Sequence, residues 1–316
     1  MNTRRQFSYP VIPDGTPCPT VRELLASQGY SRQLMIRIKQ APGGLMADGK
    51  PVPINQVLSP GQILTVNLPP EAPSWAVTPA PLPLDIVYED EDLLVVNKAA
   101  GMPVHPSQGN HGNSLADALA WRSLQEEDPV SFRAVSRLDK DTSGLLVVAR
   151  HPLSACILSD MIQKRQIRRT YLAAGHGDLR RSGLLKGGSS HFTISAPIGR
   201  AEGSILERRV DPQNGDPAVT HGRLLAYRPD LDASLAELSL ETGRTHQIRV
   251  HMRYAGCPLF GDFLYHPDFR YIRRHSLHSW KLSFSHPITK KPLSFTAAVP
   301  DDMKCFTDGV LLDSGS

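Results

Sequence analysis

Apolar and polar positions along the chain change period several times, and each change predicts an element. Thr20 precedes Val21, Leu24 and Leu25, and Ser31 precedes Leu34, Ile36 and Ile38. A capping hydroxyl ahead of such apolar residues predicts two short helices, with Leu34, Ile36 and Ile38 partly buried. Gly43-Gly44 breaks the pattern, and residues 45 to 52 then read as strand, Asp48-Gly49 turn and second strand. Downstream, Leu93 to Val96 and Leu145 to Ala149 are continuous apolar runs of strand length. A helix is expected from Ser114 to Leu124, and another where Ala155, Leu158 and Ile162 recur, followed by the β-rich stretch Tyr171 to Ala174. Further strands are expected at 218–227, 234–240 and near 280–284, with a helix from Thr245 to Tyr254. These elements mix without a regular βαβ rhythm, so the predicted fold class is α+β with a mixed, largely antiparallel sheet.

Prolines 69, 70, 73, 79, 81 and 83 crowd one short segment. Because proline fixes φ and removes a donor, 69–84 reads as an extended linker between a unit at 15–68 and a larger domain at 85–300. The first unit is near the lower size limit for an independent core.

A hydrophobic content of 40% excludes disorder. No apolar run approaches the roughly 18 residues that span a bilayer, so no membrane association is expected. Arg4 and Arg5 are followed by prolines and an acid where a secretory signal needs an apolar stretch. Cys18, Cys156, Cys257 and Cys305 form no CxxC pair, which fits neither a disulfide framework nor a zinc ribbon. The expectation is a soluble, cytoplasmic chain. A net charge of +4 names a partner only if the basic residues cluster.

Three segments are candidates for chemistry. Residues 136–146, SRLDKDTSGLL, run an acidic turn straight into an apolar strand, so a side chain such as Asp139 is displayed on a loop anchored by the core. The plain alternative is a turn whose Asp and Ser side chains bond nearby backbone. Residues 164–171, KRQIRRTY, set cations beside an aromatic ring, which suits phosphates and a splayed-out base; a solvated helix end is the alternative. In residues 241–256, ETGRTHQIRVHMRYAG, Thr245 can cap a helix with His246, Arg249 and Arg253 on one face and Ile248 and Met252 on another. His246 and His251 lack an HExxH pattern, so no metal site is expected there.

Taken together and in order, these segments closely resemble the RluA-type family of RNA pseudouridine synthases: RLDxxTSGL at Arg137 to Leu145, an element like KxYxA at Arg169 to Ala173, and GRTHQIRxH at Gly243 to His251. Asn97-Lys98, His105-Pro106, Gly261-Asp262 and Tyr265 add to the likeness, which covers roughly 83–300. The order of elements in 15–68 resembles an S4 RNA-binding domain, with Arg32, Arg37 and Lys39 toward phosphates. The resemblance implies a pseudouridine synthase fold, with a small N-terminal S4-like α/β domain. It also implies an isomerase that breaks the uridine N1–C1′ bond and rejoins the base through C5, without cofactor or metal.

By the same resemblance, Asp139 matches the catalytic aspartate, Arg249 the arginine that pairs with it, and Tyr171 the aromatic residue against the target base. Arg137 matches a residue that fills the space left when the uridine flips, a step needed because the glycosidic bond is otherwise inaccessible. Arg244, His246, Gln247, Arg168, Arg169, Arg32 and Lys39 are the further expected RNA contacts. A carboxylate can attack or accept a proton only when ionised, a form that an adjacent cation favours. Nucleophilic attack and a glycal-forming elimination both remain open.

Ser136 stands where family members commonly have His, and Arg169 where Lys is usual; the second change keeps charge but alters phosphate geometry. Asp141 is read as loop-shaping rather than as a second catalytic carboxylate. The expected partner is structured RNA, ribosomal rather than transfer RNA by analogy with S4-bearing relatives, and the expected state is a monomer. A catalytically silent RNA-binding or ribosome-assembly protein of this fold is the alternative, and a nucleoside hydrolase is a third.

Overall fold

The computed structural model describes residues 5–12, 17–69, 77–107, 111–125 and 133–312. Its N-terminal unit comprises β1 (Gln6–Pro10), α1 (Val21–Ser27), α2 (Arg32–Gln40), β2 (Leu45–Ala47), β3 (Lys50–Pro51) and β4 (Ile63–Asn67). Thr20 Oγ1 accepts from the Glu23 N–H while the Glu23 carboxylate accepts from the Thr20 N–H, a reciprocal cap that fixes the start of α1. Ser31 caps α2 singly, its Oγ accepting from the Leu34 N–H. One face of α2 buries Leu34, Met35 and Ile38. Ile36 is on the surface, contrary to the expectation from its apolar character, because it falls off that stripe. The strands form an antiparallel sheet in the order β1-β4-β2-β3.

Strand β1 lies ahead of the unit outlined by the sequence pattern. It also ties that unit to the rest of the chain: Arg5, just before it, donates to Asp92 at 2.7 Å and pairs with Glu91, and Phe7 packs against His151. Within the described part of the proline-rich segment, the Thr78 and Ala80 N–H groups donate to Asp117. This end is therefore pinned to a helix rather than free. Residues 70–76 lie outside the described residues.

The larger part follows as β5 (Ile86–Glu89), β6 (Leu93–Lys98), α3 (Leu115–Gln125), β7 (Arg133–Ala134), β8 (Ser143–Ala149), α4 (Pro152–Gln163), β9 (Arg168–His176) and β10 (His191–Ser195). It continues through β11 (Ile198–Arg200), β12 (Arg208–Val210), β13 (Val219–Arg228), β14 (Ala233–Leu240), α5 (Gln247–Tyr254), β15 (Leu277–Ser285), β16 (Pro292–Thr296) and α6 (Lys304–Thr307). The main sheet runs β10-β13-β14-β9-β15-β8-β6-β5, with β16 against β15 and β7 against β8. Among its described pairs only β15 and β8 are parallel, as a mixed, largely antiparallel sheet requires. Every residue of β8 is buried, which explains its unbroken apolar run.

Two local features position the site. Gly144 has φ +110, and a Cβ there would lie 2.2 Å from the Ser279 carbonyl oxygen, so glycine lets β8 begin hard against β15. Helix α5 starts at Gln247, not at Thr245. His246 takes a left-handed φ of 57 at the entrance, and no side chain caps the end. His246 therefore does not share a helical face with Arg249 and Arg253. Arg249 itself is buried among the sheet's loops, where the sequence pattern suggested a cationic face. No helix among the described residues is long and apolar enough to cross a membrane.

Candidate active site

Asp139 sits on the loop between β7 and β8, and that loop is held from three directions. The Thr142 N–H donates to the Asp139 carbonyl at 3.1 Å, closing the turn. Thr142 Oγ1 lies 2.7 Å from His275 Nε2 just ahead of β15, and Arg274 Nη1 donates to the Asp141 carbonyl. From the end of β6, Lys98 Nζ donates to the carbonyls of Ala99, Met102 and Lys140 at 2.8, 2.8 and 2.9 Å. Lys98 is 1% exposed. Its three ammonium N–H groups meet three carbonyls, while burial, opposed mainly by Asp141, pushes its pKa down to about 7.

Beneath the Asp139 carboxylate lies the guanidinium of Arg249, supplied by α5. Nη1 reaches Asp139 Oδ2 at 3.1 Å, while Nε and Nη2 each donate to an oxygen of Asp262 at 2.7 Å. A planar fork is suited to this double pairing in a way a lysine is not. Side-chain exposure falls from 29% at Asp139 to 3% at Arg249 and 1% at Asp262, so the Asp139 carboxylate tops a buried ionic column. The Tyr265 ring packs 5.0 Å from the Arg249 guanidinium. Its hydroxyl accepts from the Arg208 N–H at 2.8 Å and lies 2.9 Å from His246 Nδ1. Burial lowers the His246 pKa, with the Asp139 charge opposing it.

Asp139 opens into a cleft of about 1230 Å³. Arg137, Arg168, Arg169, Tyr171 and Arg244 line it together with Asp139, so the structure brings the three candidate segments to one cleft. Arg165 and Arg208 add charge to the rim, and Glu241 offsets part of it through an ion pair with Arg165 at 2.6 Å. Tyr171 lies in β9 and is only 3% exposed, packed in one cluster with Leu238, Ile248 and Leu277. It forms part of the cleft wall rather than an open platform. Burial, and then Arg137, depress the pKa of His105 across the cleft.

The other expected contacts fall elsewhere. Gln247 is buried, with its amide oxygen accepting from Thr242 Oγ1 and the Arg244 N–H and its amide nitrogen donating to Val219 and Thr220. It shapes the loop that carries Arg244 instead of facing the cleft. Arg32 and Lys39 are exposed on α2, away from the cleft lining. Two residues without a predicted role prove central: Asp262, which grips Arg249, and Lys98, which grips the Asp139 loop. Both were visible only as parts of short motifs, since their partners are remote in sequence.

Comparison with known proteins agrees with this geometry. A family model described as RNA pseudouridylate synthase matches residues 92–254. An uncharacterized RNA pseudouridine synthase of Bacillus subtilis, YjbO, is 40% identical over 92% of this chain and 99% of its own length. The ribosomal large subunit pseudouridine synthase D of Neisseria meningitidis is 37% identical over 90% of this chain and 76% of its own. Among solved structures, human RNA pseudouridylate synthase domain containing 1 superposes with a TM-score of 0.55 at 28% identity, covering 68% of this chain and 83% of that one. From the matched family model and from relatives at 37–40% identity over most of the chain, the chain belongs to the RluA-type family of RNA pseudouridine synthases.

Proposed function

We propose that this enzyme isomerises a uridine of large-subunit ribosomal RNA, with Asp139 as the reacting carboxylate. The observation that carries the reading is the column Asp139–Arg249–Asp262 at the floor of a cation-lined cleft. In this account the target nucleotide leaves its stack, Arg137 fills the space, and the base lies against Tyr171. The N1–C1′ bond breaks, the base turns, and a C5–C1′ bond forms; the C5 proton passes to solvent and N1 regains a proton. Asp139 either attacks C1′ or takes a sugar proton in a glycal-forming elimination. Tyr171 assists removal of the C5 proton.

Arg168, Arg169 and Arg244 contact phosphates at the rim, and His246, through Tyr265, holds the shape of the floor. The N-terminal unit is an S4-like module that offers Arg32, Arg37 and Lys39 to a second stretch of RNA, with 15–68 and 85–300 as the two working domains. Ribosomal RNA is the favoured substrate because the Neisseria relative is named for the large ribosomal subunit. Such a protein works as a monomer in the cytoplasm and needs no cofactor for the isomerisation.

The test is tritium release from unmodified RNA labelled at uridine C5. Release from large-subunit ribosomal RNA, with none from transfer RNA, is expected. Tight binding without release from either RNA would favour the silent assembly protein, and free uracil among the products would favour a hydrolase.

A further inference from the structure

Strand β9 ends at His176, about 17 Å along the strand from Tyr171. There His176 meets His266 and Asp268, which come from the turn after Asp262. The two imidazoles stack with centroids 5.0 Å apart and 16° between planes, and the fully buried Phe260 backs both at 5.3 and 6.4 Å. Ligating atoms of His176, His266 and Asp268 all lie within 4.8 Å of one another. His266 Nε2 is buried and has no hydrogen-bond partner, with Asp268 Oδ2 3.7 Å away. An orphaned imidazole nitrogen costs desolvation free energy unless something meets its lone pair or proton. Asp232 adds a further oxygen 3.4 Å from His176 Nε2.

The backbone holds this cluster in place. The His266 N–H donates to the Asp262 carbonyl, the Asp268 N–H to the His266 carbonyl, and the Gly261 N–H to the Asp268 carbonyl. Arg270 grips the Asp268 carboxylate through Nε at 2.9 and 3.0 Å and through Nη2 at 2.5 Å, as an outer partner orients a ligating carboxylate. In the other comparable group, Asp90, Asp92 and His286, both imidazole nitrogens already have partners: His286 Nε2 lies 2.8 Å from Asp90, and Nδ1 accepts from the Ile288 and Thr289 N–H groups.

We propose that His176, His266 and Asp268, with Asp232 beside them, form a site for a divalent transition-metal cation of the zinc class. Two imidazole nitrogens and carboxylate oxygens suit that cation, and tetrahedral bonds near 2 Å require the ligand atoms to draw in to about 3.3 Å. Sequence spacing does not reveal the site, because its ligands come from one strand and a distant turn. Occupied, the site clips the end of β9 to the turn that carries Asp262 and Tyr265. It lies apart from the reacting carboxylate and does not depend on the substrate assigned above.

The untagged full chain, stripped with EDTA, is titrated with Zn²⁺ by calorimetry and with Co²⁺ by visible absorption. The expected result is one saturable equivalent, cobalt bands of a low-symmetry N/O site, and a thermal midpoint raised by Zn²⁺. His266→Ala and His176→Asn should each weaken uptake at least tenfold, while His191→Ala, an exposed histidine on β10, keeps it. No saturable equivalent in the wild type would overturn the site without recourse to any variant. Undiminished uptake in both ring variants would overturn its location.

Discussion

Arg249 and Asp262 face each other through two parallel hydrogen bonds of 2.7 Å, and both are buried. With the Nε/Nη2 edge of the guanidinium committed there, the remaining Nη1 points at Asp139. Burial works against the Arg249 charge, but Asp262 and then Asp139 outweigh it and hold its pKa above the ordinary value. Asp262 is thereby the residue that aims the cation, and Asp139 is the carboxylate aimed at.

Asp262→Asn should therefore separate positioning from binding. Removing one partner of a buried pair costs roughly 3–5 kcal/mol of stability. The turnover number should fall at least tenfold while RNA affinity changes little. Single-turnover kinetics beside an equilibrium binding curve check this, and an unchanged turnover number in a folded variant would detach Asp262 from the site.

Lys98 makes stability depend on pH. Its pKa falls from 10.5 to about 7 on folding, so the unfolded chain binds more protons than the native one between those values. Stability of the wild type relative to Lys98→Met should accordingly rise as pH increases from about 7 toward 10, by an amount on the order of a few kcal/mol. The cost of the buried charge is fully present below pH 7 and vanishes above the unfolded value. Urea denaturation of both proteins across this window measures the difference, and parallel curves would refute the assignment.

The basic rim should make binding salt-dependent. Arg168→Gln should reduce the slope of log affinity against log salt by about 1, with little dependence on RNA sequence. Arg165→Gln should do less, because Arg165 is already paired with Glu241. Fluorescence anisotropy at several salt concentrations orders the two variants, and equal losses would contradict the role given to Glu241.

Gly144→Ala should destabilise the chain by about 2 kcal/mol or more, since the new methyl meets the Ser279 carbonyl in a backbone conformation that disfavours side chains. That corresponds to a thermal midpoint lowered by about 5 °C. A midpoint equal to the wild type's would show that β8 and β15 can part without cost.

Where the chain used local rules, its sequence was legible. Thr20 and Ser31 announced α1 and α2, the Asp48-Gly49 turn announced its hairpin, and the run Leu145 to Ala149 announced a strand buried on both faces. Asp139 and Arg249 could be singled out because each lies inside a distinctive motif, and Tyr171, whose own motif is weak, because it falls between them in the expected order. Long-range chemistry was not legible. The Arg249–Asp262 fork and the three carbonyls around Lys98 depend on how strands stack, and the start of α5 depends on His246 adopting a left-handed backbone that a capping threonine would not suggest. Strands β1, β10, β11 and β16 are of five residues or fewer, too short for their pattern to stand out, so pairing rather than pattern defines them.

The proposed role of the Asp139 carboxylate, presented by Arg249, is to perform the isomerisation. Its most direct test is pseudouridine formation by wild type and Asp139→Ala on the same large-subunit ribosomal RNA, followed by tritium release from C5. The account predicts release by the wild type and none by the variant, with RNA affinity retained within a few-fold. Release at the wild-type rate from Asp139→Ala would contradict it.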